Sequence, residues 1–127
     1  MHLTAHHVGI IVSNFDKSKA FYAALGFQIV SEVSDGTKTI CFLRLGGFNL
    51  ELFAYQEPVP QAPASEARAL GFRHFALQTA DLDTTLSELK GLNLVPADAA
   101  AREVPGIAKL FFFADPDGIE IEIMQEL

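Results

Sequence analysis

Phe111-Phe112-Phe113-Ala114-Asp115-Pro116-Asp117-Gly118-Ile119-Glu120-Ile121-Glu122-Ile123-Met124 reads as two strands joined by a tight turn. Pro116 presets φ for the first corner, and Gly118 tolerates the positive φ that closes it. Beyond the turn the alternation is strict. Ile119, Ile121 and Ile123 face one way, and Glu120, Glu122 and Met124 face the other. The isoleucine face calls for a layer of helices. The opposite face carries two carboxylates in a very apolar segment, where a carboxylate is seldom buried unless it is paired or binds a metal. The bland alternative is the solvated outer face of an edge strand.

Working outward, the same pattern occurs twice. His6 to Ser13 is β-branched and apolar, a strand. Asn14 or Asp16 caps a helix that presents Ser18, Phe21, Tyr22 and Leu25 on one face and stops at Gly26. Strands follow over Phe27–Val33, Thr39–Leu45 and Phe48–Ala54, with turns at Ser34-Asp35-Gly36 and Gly46-Gly47. Pro58, Pro60 and Pro63 mark an extended linker. The order then recurs. Phe72–Thr79 is a strand, and Asp81 caps a helix with Leu82, Leu86 and Leu89 on one face, ended by Gly91. Leu92–Val95 is expected as a strand, an Ala-rich loop follows, and Leu110–Ala114 with Ile119–Met124 closes the chain. Each half is β-α-β-β-β, which gives an α+β fold of two paired βαβββ modules forming a cupped mixed sheet with helices outside. We expect one domain over residues 1–127, with module one at about 1–56, a linker at about 57–70 and module two at about 71–127.

The repeat aligns chemistry as well as elements. His74 follows His7 by 67 residues and Glu122 follows Glu51 by 71. Each histidine lies early on a first strand, and each glutamate lies between two aliphatic residues on a last strand. Parity puts His7, Gly9, Ile11, Asn49, Glu51 and Phe53 on one face of module one. The same face of module two holds His74, Ala76, Gln78, Glu120, Glu122 and Met124. Two imidazoles and two carboxylates from four strands suit an octahedral divalent site, with the remaining positions left to water or substrate. Such ligands fit Ni, Zn, Co, Mn or Fe(II). His6 has the opposite parity to His7 and is expected outside the site. Glu120 has the right parity but the wrong repeat offset, so it is expected behind the ligands or in solvent. Folding the Gly46-Gly47 hairpin puts Phe42 across from Glu51, so Phe42 and Arg44 share the ligand face. Phe42 and Phe53 would supply an apolar wall, and Arg44 the nearest cation for a substrate carboxylate or phosphate. A solvated strand cation is the plain alternative for Arg44.

Composition limits the partners. The formal net charge is −7, with no cluster of Lys and Arg, which argues against nucleic acid and anionic membrane. No apolar run approaches the ~20 residues of a membrane span. Nothing at the N-terminus reads as a signal peptide, and Cys41, the single cysteine, suits a reducing compartment; the expected location is the cytoplasm. Eleven Phe in 127 residues allow a dense core without disulfides, and Cys41, with the parity of Leu43 and Leu45, is read as part of it.

Several further stretches carry a family resemblance: His7-Val8-Gly9-Ile10, Phe21-Tyr22 with Leu25-Gly26-Phe27, Leu50-Glu51-Leu52-Phe53, Gly71-Phe72-Arg73-His74-Phe75-Ala76, Asp81-Leu82-Asp83 and Asp115 to Glu122. Together they resemble the vicinal oxygen chelate superfamily, which includes glyoxalase I, methylmalonyl-CoA epimerase, extradiol dioxygenases, and fosfomycin and bleomycin resistance proteins. The resemblance spans essentially the whole chain and is closest to small bacterial glyoxalase-like members. It implies His7, Glu51, His74 and Glu122 as metal ligands, a small-molecule substrate and a homodimer, and it leaves open whether modules pair within one chain or across two. It also implies a metal-dependent lyase or isomerase. A hydroxy-carbonyl substrate would chelate the metal through vicinal oxygens, and Glu51 or Glu122 would shuttle the proton of a metal-stabilised enediolate. A sequestering protein of the resistance type is the alternative, and an extradiol-type dioxygenase a further one. Glyoxalase I has Arg four residues after its first ligand and Asn four after its second; here those positions are Ile11 and Tyr55. The glutathione anchors are therefore missing, and a small thiol-free oxygenated substrate is expected.

Overall fold

The computed structural model describes residues 1–62 and 68–127, so Pro63 of the expected linker lies outside the described residues. The chain divides into two compact units, Met1–Gln61 and Ala62–Leu127. Unit one runs β1 (Val8–Ile11), α1 (Phe15–Ala24), β2 (Gln28–Ser34), β3 (Lys38–Leu45) and β4 (Phe48–Tyr55). Unit two repeats this order with β5 (Phe75–Gln78), α2 (Leu82–Gly91), β6 (Arg102–Val104), β7 (Ala108–Ala114) and β8 (Glu120–Glu126). Each forms a four-stranded mixed sheet, ordered β1-β4-β3-β2 and β5-β8-β7-β6. The fold is α+β, built from two βαβββ modules as expected. Among the described residues no helix is long and apolar enough to cross a membrane.

In each unit the first strand pairs in parallel with the last, and the helix supplies the crossover that a parallel pair requires. Alternation then sorts the faces. Leu50, Leu52 and Ile121 are fully buried and Ile123 nearly so, while Glu51 and Glu122 between them stay partly exposed. α1 lies against β2 and β4, and α2 against β8. Tyr22 is fully buried and packs edge-on to Phe27, and α2 buries Leu82, Leu86 and Leu89 as its spacing predicts. Each such side chain contributes ~1.5–3 kcal/mol on burial.

Both helices start and stop by the same devices. Asn14 Oδ1 accepts from the Lys17 N–H at 3.0 Å, and Asp81 Oδ1 accepts from the Thr84 N–H at 3.1 Å. Gly26, at φ +106°, closes α1 with N–H donation from Gly26 to Ala23 and from Phe27 to Tyr22. In α2 the structure corrects the sequence reading. The helix runs through Gly91, and Asn93, at φ 57°, takes the left-handed position. The N–H groups of Leu92, Asn93 and Leu94 are spent on the carbonyls of Glu88, Lys90 and Leu89. Three of the four N–H groups of Leu92–Val95 are thus committed to closing α2, and the segment is not a strand. The short strand is Arg102–Val104, inside the expected loop. β1 and β5 are also shorter than expected, beginning at Val8 and Phe75.

The Asp81 cap has a pH signature. The backbone N–H and then the hydroxyl of Thr84 hold its carboxyl below the ordinary aspartate range. A carboxyl lowered on folding stabilises fully above its unfolded pKa, ~3.9, and loses that contribution as pH falls through the folded value. Thermal melting between about pH 4 and pH 2 should therefore show a shallower acid loss for Asp81→Asn, which can still cap but cannot titrate, than for the parent protein. Identical slopes would remove the cap from the acid response.

Candidate metal centre

The parallel registers Val8↔Leu50 and Phe75↔Ile121 set a histidine against a glutamate in each unit. His7 Nε2 lies 3.6 Å from Glu51 Oε2, and His74 Nε2 lies 2.8 Å from Glu122 Oε2. Both glutamate side chains are 14% exposed, and the two imidazoles about a third, so the pairs are sheltered yet reachable. The antiparallel hairpins add one ring to each pair. Phe42 is registered on Glu51 and Phe112 on Glu122. Phe42 meets the His7 ring edge-on at 5.4 Å, and Phe112 meets the His74 ring at 5.2 Å. Phe112, the repeat partner of Phe42, was missed from the sequence although the same hairpin pairing could have found it. The Arg102 guanidinium stands 5.7 Å over the Phe112 ring.

Gly9 makes room for this arrangement. A Cβ there would stand 3.3 Å from Phe53 Cε2 and 3.8 Å from Glu51 Oε1. The missing side chain is thus what lets the expected wall residue Phe53 and the carboxylate share the face. Arg44 sits on that face and is exposed, with Nε donating to Asn49 Oδ1 at 2.8 Å. Asn49 Nδ2 in turn donates to the His6 carbonyl at 2.8 Å. His6 Nδ1 lies 2.7 Å from His7 Nδ1, against the ring nitrogen of His7 that faces away from Glu51. Glu120 is sheltered behind the pair, with Oε1 3.6 Å from His74 Nδ1 and 3.8 Å from Arg73 Nη2.

These donors fit a divalent ion. Two atoms each ~2.1 Å from one octahedral ion, in neighbouring positions, stand ~3.0 Å apart. The His–Glu separations of 3.6 Å and 2.8 Å bracket that span. Among the described residues no three His, Cys, Asp or Glu side chains are gathered into a metal-holding set. Each unit offers two donors.

The chain belongs to the Glyoxalase/Bleomycin resistance protein/Dioxygenase superfamily, whose family model matches residues 4–123. It is 35% identical to the protein YwkD of Bacillus subtilis (strain 168) over 95% of each chain. It is 31% identical to a glyoxalase family protein from Enterococcus faecalis of known structure, with a TM-score of 0.81 over 95% of this chain and 96% of that one. A variant of the fosfomycin resistance protein FosX from Listeria monocytogenes, in complex with Mn(II) and 1S,2S-dihydroxypropylphosphonic acid, superposes with a TM-score of 0.72 over 97% of this chain and 92% of that one. At 17% identity the FosX likeness is one of fold.

Cys41 stands apart from this face. It is fully buried, and burial, with the Glu32 charge adding, pushes its thiol up. A soluble thiol reagent should leave the native protein unmodified and label it stoichiometrically once it is unfolded in denaturant. Rapid labelling of the native state would contradict the core placement.

Proposed function

We propose that the chain is a divalent-metal-dependent lyase or isomerase of the glyoxalase type, a cytoplasmic homodimer that acts on a small substrate with oxygens on neighbouring carbons. The observation that carries the reading is the duplicated pair, His7 with Glu51 and His74 with Glu122, each roofed by one phenylalanine. These four side chains are the ligands in this reading, and Ni, Zn, Co, Mn or Fe(II) suits their mixed imidazole and carboxylate chemistry. The Mn(II) complex of FosX, a protein of the same fold, supports a divalent ion. The ion, when bound, supplies Lewis acidity toward the substrate's two oxygens.

The chain's own groups do the rest. Glu51 or Glu122 takes the proton from the carbon beside the carbonyl and returns it to the neighbouring carbon. Phe42, Phe53 and Phe112 give the apolar walls that keep water from the reacting carbons. Arg44, tied to Asn49 through Nε, keeps the donors of its two terminal amino groups for a carboxylate or phosphate on the substrate. Ile11, half-exposed, and Tyr55 stand where a glutathione-binding relative would carry Arg and Asn, which favours a thiol-free substrate.

Metal analysis tests the ligand set. The purified protein should carry about one divalent ion per set of four ligands, and Glu122→Ala should lose most of it. Unchanged metal content in Glu122→Ala would overturn the assignment. Turnover tests the chemistry. The metal-loaded protein should convert thiol-free hydroxy-ketones and stop when the metal is chelated. Efficient conversion of the methylglyoxal–glutathione hemithioacetal would defeat the thiol-free substrate, and oxygen uptake with catechols would point to a dioxygenase instead.

A further inference from the structure

A histidine that binds metal through one ring nitrogen carries its proton on the other, and that N–H needs an acceptor to hold the ring in place. In unit two the register supplies two carboxylates to one imidazole. β8 alternation presents Glu120 and Glu122 on the same face, and the Phe75↔Ile121 pairing sets His74 beside both. Nε2 of His74 faces Glu122 at 2.8 Å. Nδ1 is buried without a hydrogen bond, and Glu120 Oε1 lies 3.6 Å away. A shift of ~0.7 Å would bring that oxygen into hydrogen-bond range. Glu120 is only 16% exposed, and Arg73 Nη2, 3.8 Å from the same oxygen, offers it a counter-charge.

We infer that Glu120 is a positioning residue for the metal centre: its Oε1 accepts the Nδ1–H of His74 and aims Nε2 at the ion, and Glu120 is not itself a ligand. The inference rests on the reading of His74 and Glu122 as ligands. Unit one supports its own imidazole by other means, which argues that the support is needed in both halves. There the Nδ1 of His7 meets the His6 ring at 2.7 Å. The repeat position of Glu120 is Asn49, which holds the His6 carbonyl and receives Arg44 Nε. The ligand pair is repeated, while the device that orients each imidazole differs.

The test uses Zn(II), which is diamagnetic, with the full chain. Zinc affinity is measured by competition with a chromophoric chelator, and the His74 ring nitrogens are followed by ¹⁵N NMR. The zinc-loaded parent protein should show His74 protonated at Nδ1 and metal-bound at Nε2. Glu120→Ala should still fill to full stoichiometry at saturating zinc, with affinity about 10–100-fold weaker and the Nδ1–H signal shifted out of its hydrogen-bonded position. Glu120→Gln, which keeps an acceptor oxygen, should recover most of both, and the melting temperature of metal-free Glu120→Ala should match the parent's. Affinity within about twofold of the parent and an unmoved Nδ1–H signal in Glu120→Ala would overturn the inference. So would complete loss of zinc at saturation, which would make Glu120 a ligand. If His74→Ala binds zinc as the parent does, the metal reading itself fails, and the inference falls with it.

Discussion

The parallel ladder between the first and last strand of each unit is the constraint on which everything else depends. A parallel pair cannot be joined by a tight turn, so each unit must carry a helix between its first and second strands. Once Val8 is set on Leu50 and Phe75 on Ile121, the residue before each first strand lies beside the carboxylate face of the last. A slip of one residue would turn Glu51 and Glu122 into the layer now filled by Leu50, Leu52, Ile121 and Ile123. The buried aliphatic residues therefore fix where the carboxylates point. Core packing and site geometry are one decision made by one register.

That decision explains how acidic side chains come to stand in such apolar strands. A sheltered carboxylate needs a partner. Glu51 and Glu122 have imidazoles, and Glu120 has both an imidazole and the Arg73 guanidinium. The phenylalanines opposite them, Phe42 and Phe112, arrive through the antiparallel hairpins, so two ladders converge on each pair. Gly9 contributes by having no side chain where Phe53 and Glu51 meet.

Much of this was legible because strand alternation has a period of two. Ile121 and Ile123 against Glu120 and Glu122, or Leu50 and Leu52 against Glu51, can be read only one way once one face is assigned to the core. Asn14 and Asp81 announced the helix starts through short acceptor side chains, and Gly46-Gly47 fixed the register that set Phe42 on Glu51. What escaped depended on where a ladder begins and ends. Leu92–Val95 is apolar enough for a strand, yet its donors close α2, and nothing in the composition of Arg102–Val104 marks three residues as an edge strand. The carboxylate face was visible from pattern alone, but the partners of the outward ring nitrogens lie in side-chain geometry that pattern does not encode.

The proposed function has one ion take its ligands from both His–Glu pairs. X-ray absorption at the metal edge of the loaded protein tests it most directly, because outer-shell scattering from imidazole rings counts the histidines on the metal. Two imidazoles per ion are expected, with oxygen donors completing the shell. A spectrum that fits one imidazole, or none, would contradict it.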